Sequence, residues 1–214
     1  MRRQVTAYVL TVKASLKTSA TKLMKSLIEI IFGVALLTLG ARTSFILPFT
    51  LVPFTLQTLF LTYLILLLGR RSWKSVTTYV VAGLCGLPVF AYGGGPLYVL
   101  SPTFGYLIGF IIASIIVGRK VLGYIVSHRR YLVGAGLIQL IIYLCGMLWL
   151  FGWLTLLRII DPLQALWTAF LVGVVPFIVW DMIKAYIALA LYIASIKIYS
   201  RIKIGITPTI AMED

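Results

Sequence analysis

Apolar residues fall along the chain in long blocks, at about 27–41, 53–69, 76–91, 104–118 and 132–157, followed by a stretch from 163 to about 198. The blocks lack the alternation over about ten residues that marks a barrel strand. They read as helices, separated by short connections that carry most of the charge. The last stretch is some 36 residues long, and one crossing needs only about 20. Pro176 is the natural interruption, because proline lacks an N–H and its ring clashes with the preceding turn. The pattern therefore predicts a short outer segment at 163–175 and a sixth span over 179–198. The expected fold is an all-α polytopic membrane protein with six transmembrane helices.

Charge then orients the bundle. Cytoplasmic connections collect Lys and Arg. With the N-terminus inside, Arg2, Arg3, Lys13, Lys17, Lys22, Lys25, Arg70, Arg71, Lys74, Arg119, Lys120, Arg129, Arg130, Lys197, Arg201 and Lys203 are all inner residues. Only Arg42 and Arg158 are outer, and Lys184 lies within the sixth span. Both termini are thus expected in the cytosol. Residues 1–26 form a basic cytosolic tail suited to the surface of anionic lipid, 27–200 the membrane domain, and 201–214 a C-terminal tail.

Composition narrows the function. Hydrophobic residues make up 61% of the 214 positions, too many for a soluble domain. The net charge of +14 is dispersed over short loops without stacking aromatics, which argues against nucleic acid. Cys85 and Cys145 sit in apolar segments and read as buried packing residues. His128 has no second His or Cys near it to complete a metal site or a triad. No phosphate-binding loop occurs, so the chain itself is not expected to hydrolyse ATP, and the acidic residues are too scattered for a metal cluster. Catalysis is not expected. Glu29 beside Lys25 reads as a helix-end pair.

One polar feature stands out inside an apolar run: Asp181 and Lys184, three residues apart. A charge at the centre of a membrane helix costs about 2.5–3.5 kcal/mol on insertion scales. The two can neutralise each other on one helix face. The topology places them in the first turns of the sixth helix, near the outer side, where the helix dipole favours Asp181 and disfavours Lys184. A lysine at that end calls for a separate reason. Candidate company comes from the outer segments. Residues 40–55 contain Arg42, and residues 86–106 contain Gly93, Gly94 and Gly95 among Phe90, Tyr92, Tyr98 and Tyr106. Three glycines permit positive φ and close backbone approach. The aromatics suit either a pocket wall or an interfacial belt.

Four stretches carry a resemblance: Val52-Pro-Phe-Thr-Leu-Gln57-Thr, Tyr79-Val-Val-Ala-Gly83-Leu-Cys-Gly86-Leu-Pro88-Val-Phe90-Ala, Pro102-Thr103-Phe-Gly105-Tyr106-Leu-Ile-Gly109-Phe and Pro176-Phe-Ile-x-x-Asp181-x-x-Lys184-Ala. In this order they resemble the BioY family, the biotin-binding S components of energy-coupling-factor (ECF) vitamin transporters, over residues 27–200. The resemblance implies a multi-pass protein of the cell membrane that captures biotin near the outer face. Its partners would be a transmembrane T component and two cytosolic ATPase subunits, which would hydrolyse the ATP; the chain needs no cofactor of its own, and biotin is its cargo. It implies substrate contacts from Asp181, Lys184, Arg42, Gly93, Gly94, Gly95, Phe90, Tyr92, Thr103 and Tyr106. An acceptor-only carboxylate at Asp181 suits the two ureido N–H groups of biotin. Lys184 or Arg42 suits its carboxylate or ureido oxygen.

The chain departs from the family pattern at three places. Val179-Trp180 precedes Asp181 where Pro-Gly is common, and Tyr92 replaces a small or amide residue. In the first span, Gly33, Ala35, Gly40 and Ala41 lack the family's Ala-x-x-x-Ala spacing for docking on the T component, although small residues still permit close helix approach. Two other readings stand beside the importer subunit: a solitary biotin carrier without ATPases, and a membrane scaffold whose Asp–Lys pair is structural.

Overall fold

The computed structural model describes residues 2–45, 48, 50–118, 130–157 and 160–205, with side chains from residue 19 to residue 201. Arg119, Lys120, His128, Arg129 and Arg158 lie outside the described residues. The chain is mostly helical: α1 (Arg2–Arg42), α2 (Gln57–Leu68), α3 (Ser72–Leu84), α4 (Phe104–Ile116), α5 (Tyr131–Leu156), α6 (Pro162–Gly173) and α7 (Ile178–Gly205). Two-residue strands β1 (Ser44–Phe45) and β2 (Phe54–Thr55) pair antiparallel between α1 and α2. Large side chains face outward along the helices: Leu163 is 82% exposed, Leu156 84% and Trp167 63%. So much apolar surface is tolerated only where lipid is the solvent. This is a membrane protein.

Among the described residues, three helical runs are long and apolar enough to cross: Ser19–Arg42, Tyr131–Leu156 and Pro162–Arg201. The break expected at Pro176 is present. A 3₁₀ turn at Val175–Phe177 separates α6 from α7. The blocks at 53–69 and 76–91 differ from expectation, because α2 and α3 are only 12 and 13 residues long. Residues 53–56 are spent on the β2 strand and its exit. Beyond α3 the chain turns at Gly86, with φ of 103°, just before Pro88. The non-helical backbone left over lies at one end of the bundle, where it lines the cavity described below. Such backbone is admissible at membrane depth only when buried in protein or lining a cavity.

Helix contacts are made through small residues. A Cβ on Gly109 of α4 would stand 2.9 Å from the Ile142 Cα of α5, and Gly105 meets Trp149 and Cys145 in the same way. Gly109→Val is expected to force the two helices apart and lower stability by about 1–3 kcal/mol, read as a drop in melting temperature in detergent. Two smaller expectations are corrected. Cys85 caps α3 and is exposed instead of buried, while Cys145 is half-buried; both are free thiols. Glu29 pairs with Arg71 at 2.7 Å, and its carbonyl accepts from Ser75 Oγ at 3.0 Å. It is thus held by the α2–α3 connection, a partner across the bundle that a reading of α1 alone misses.

The four small residues of α1 are used within the bundle. A Cβ on Gly33 would come 2.7 Å from Ser75 Oγ, one on Gly40 would come 2.9 Å from the backbone of Gln57, and Ala41 is fully buried. Only Ala35 of the four is exposed. Gly33, Gly40 and Ala41 therefore seat α3 and α2 against α1 and offer no surface to another subunit.

Candidate functional site

The first turn of α7 carries Asp181, and its second carries Lys184. The pair is buried, with side chains 3% and 6% exposed. Lys184 Nζ donates to Asp181 Oδ1 at 2.9 Å and lies 3.9 Å from the centroid of the Phe54 ring in β2. A desolvated ammonium over an aromatic face gains cation–π attraction. Phe54 itself stacks on Phe45 across the hairpin, and edge-on against Trp180. The hairpin thus holds an aromatic plate over the cation. Two further donors converge on the carboxylate from other helices. Thr58 Oγ1 of α2 donates to Oδ1 at 2.8 Å, and Tyr143 Oη of α5 donates to Oδ2 at 2.6 Å. Asp181 is bonded to two helices besides its own.

Around this pair lies a cavity of about 60 Å³. Polar groups enter it from Gln57, Thr58, Thr103, Tyr143, Asp181 and Lys184. Leu107, Phe110, Ile142 and Phe177 supply apolar wall. Neighbouring bonds stiffen the lining. Gln57 Nε2 donates to Tyr79 Oη at 2.7 Å, and Tyr79 donates onward to the Val89 carbonyl at 3.1 Å. Thr103 and Ser101 hydroxyls are 2.8 Å apart, and Trp149 Nε1 donates to the Ser101 carbonyl at 3.0 Å. Tyr106 fills the slot left by Gly146 and donates to the Gly173 carbonyl at 2.8 Å. It thereby ties α4 to the end of α6, just before the break at Pro176.

Of the residues singled out from the sequence, Asp181, Lys184, Tyr98, Thr103 and Tyr106 meet at this cavity. The others do not line it. Arg42 is exposed, and its guanidinium donates to the Pro88 carbonyl, which clamps the end of α1 to the loop after α3. Phe90 is 1% exposed and packs edge-on to Tyr79 and against Tyr98, behind the lining. Tyr92 is exposed. Gly93 and Gly95 adopt φ of 106° and 119°, a region closed to most other residues. A Cβ on Gly94 would stand 2.9 Å from the Gly83 carbonyl. These glycines fold the loop between α3 and α4 onto α3, where Gly95 N–H donates to the Gly83 carbonyl at 2.7 Å. Thr58, Gln57 and Tyr143 were missed as site residues. Gln57 and Thr58 lie within a stretch that carries the resemblance, but Tyr143 sits in an apolar run with no local signal.

The chemistry of the arrangement is specific. It offers an anion that accepts hydrogen bonds beside a caged cation, with amide and hydroxyl groups nearby and apolar walls close to both. It suits a small ring with N–H donors and a carbonyl, joined to an apolar body. Nothing in it resembles a nucleophile paired with a base.

Comparison with known proteins agrees with this picture. The chain is 39% identical over 163 residues to a protein described as "Probable biotin transporter BioY" from Lysinibacillus sphaericus, covering 75% of this chain and 81% of that one. It is 34% identical to the "Biotin transporter BioY" of Thermotoga maritima, covering 77% and 92%. Among solved structures, the S-component for biotin from an ECF-type ABC transporter superposes with a TM-score of 0.64 at 23% identity, over 83% of this chain and 93% of that one. This last likeness establishes the shared fold. The model of the BioY family matches residues 10–201, and the chain therefore belongs to the BioY family.

Proposed function

We propose that the protein is the biotin-binding subunit of an ECF-type vitamin importer in the cell membrane. It captures biotin at the cavity around Asp181 and Lys184, near the outer face, and delivers it inward. The observation that carries this reading is the buried Asp181–Lys184 pair facing a cavity that also presents Gln57 and Thr103, in a chain of the BioY family. Asp181 accepts from one ureido N–H group, and Lys184 serves the ureido oxygen or the valerate carboxylate. Phe177, Leu107 and Phe110 cover the thiophane ring. Arg42 and the glycine loop act from outside the cavity by holding its rim in place.

The topology belongs to the same proposal. The chain crosses six times, through α1 to α5 and α7, with α6 as an outer segment and both termini cytosolic. Supporting it, Arg70, Arg71 and Lys74 gather at the end of the bundle opposite the cavity, where Arg71 meets Glu29 and Gly118 approaches the Gly69 carbonyl. A T component and two ATPases supply the energy, and Ala35 lies on the exposed apolar face of α1 open to such a partner.

Equilibrium binding of labelled biotin to the purified chain tests the reading. A Kd below about 1 µM, or −8 kcal/mol, is expected. Absence of binding at that level would sink it. Co-purification with a T component and ATPases is expected as well; biotin uptake by cells lacking any such partner would favour a carrier that works alone.

A further inference from the structure

Gln57 opens α2 and borders the cavity around Asp181, and a relay behind it decides which end of its amide the cavity meets. Tyr79 of α3 is fully buried, with Phe90 edge-on to its ring at 5.4 Å. Its hydroxyl stands 3.1 Å from the Val89 carbonyl. A carbonyl only accepts, so the single proton of the hydroxyl is spent there. What remains toward Gln57 is a lone pair, and a lone pair selects the Nε2 end of the amide, 2.7 Å away. The orientation of an amide follows from such a network, and this network permits one answer. Nε2 faces Tyr79, and Oε1 is turned away from it. Among the described residues no hydrogen bond ends on Oε1 beside the one Nε2 makes, yet Oε1 is not sealed off without a partner as the amide of Gln139 is. It is an open acceptor on a residue of the cavity wall.

The hydrogen bonds at Asp181 show why a second acceptor matters. A carboxylate has about four lone-pair positions. Three are occupied: two on Oδ1 by Lys184 and Thr58, and one on Oδ2 by Tyr143. One position is left, which serves one N–H. The two N–H bonds of a cyclic urea diverge to opposite flanks of the ring, so the other donor needs an acceptor elsewhere in the wall. Gln57 is the sequence neighbour of Thr58, and successive helical residues point about 100° apart. Its side chain therefore leaves α2 beside one that touches the carboxylate, without competing for it. The other oxygens of the lining are hydroxyls with partners of their own: Tyr106 donates to Gly173, and Thr103 is bonded to Ser101. An amide carbonyl is the stronger acceptor.

We propose that Tyr79 is a positioning residue that holds the Gln57 carbonyl toward the cavity, where it accepts the second N–H of the bound ring. Asp181 takes one flank of the ring and Gln57 the other. This inference rests on the biotin reading above and deepens it. It makes the class of ligand explicit: a cyclic urea with donors on both flanks, selected over a lactam, which carries one.

Competition against labelled biotin on the full-length chain tests it, with unlabelled biotin and the two lactam analogues in which one or the other ureido N–H is replaced by CH2. Each lactam is expected to bind the wild type about tenfold more weakly than biotin, the order expected when a buried acceptor loses its donor. Gln57→Met, close in volume, is expected to weaken biotin by a similar factor. In that variant the lactam lacking the donor toward Gln57 should bind within about twofold of biotin, while the other keeps its deficit. Gln57→Leu provides the second variant if the methionine protein is poorly produced. Tyr79→Phe frees the amide to present either end and is expected to weaken biotin about fivefold, but by less than about twofold in the Gln57→Met background, where no amide has to be oriented. Wild-type biotin affinity in Gln57→Met, an equal loss for all three ligands, or an equal effect of Tyr79→Phe in both backgrounds would overturn the proposal while leaving the biotin reading intact. Failure of the wild-type chain to bind biotin would overturn both.

Discussion

Asp181→Asn is expected to weaken biotin binding by at least tenfold and to lower the melting temperature as well. The carboxylate anchors the site by accepting from Lys184, Thr58 and Tyr143. An amide of the same shape keeps one acceptor oxygen but replaces the other with a donor. That donor faces the Tyr143 hydroxyl, which now donates at 2.6 Å, so the hydroxyl must rotate or separate. The ammonium of Lys184, buried at 5% exposure, keeps the amide oxygen and the Phe54 ring but loses its counter-charge. Removing one member of a buried ion pair costs about 3–5 kcal/mol. Part of that loss falls on stability. The rest falls on any ligand whose N–H group looks for the missing acceptor. Titration with labelled biotin and thermal unfolding in the same detergent separate the two. A protein that melts lower yet binds biotin with wild-type affinity would reduce Asp181 to a helix-end ion pair, and the binding reading would fail at its centre.

The parts of this architecture that were legible in advance depend on local rules. Apolar blocks and the interruption at Pro176 are both properties of contiguous sequence. The α6–α7 break follows from them directly. Asp181 and Lys184 were legible for the same reason, since charge within an apolar run is conspicuous. What escaped was everything that depends on which helix lies beside which. Thr58 and Tyr143 reach Asp181 from 123 and 38 residues away, and a tyrosine in an apolar helix is indistinguishable from an interfacial one until its neighbours are known. The same blindness hid the neighbour of Arg42. Its charge on the outer side suggested a ligand contact, but the loop after α3 folds back so that the Pro88 carbonyl captures the guanidinium. Gly33 and Gly40 looked available to a partner subunit because nothing in α1 reveals that Ser75 and Gln57 press against them.

Lys184→Met is expected to weaken biotin by tenfold or more, and its combination with Asp181→Asn distinguishes a ligand-binding pair from a structural one. Methionine preserves much of the apolar stem of lysine but removes the charge. Alone, it leaves Asp181 as an uncompensated buried anion that keeps its bonds to Thr58 and Tyr143. Stability should fall by less than in Asp181→Asn, because those hydroxyls and the helix N-terminus still favour the carboxylate. When both residues are substituted, no charge remains in the site and the desolvation penalty disappears. Replacing both members of a buried pair is often neutral or stabilising. The melting temperature of the double variant should therefore recover toward or above that of the wild type. Affinity should not recover, because the ligand has lost both the acceptor for one N–H group and the donor for its carbonyl or carboxylate. If biotin affinity returned together with stability, the pair would be acting only through the fold. Divergence of the two readouts, stable but unable to bind, is the outcome that assigns Asp181 and Lys184 to the ligand.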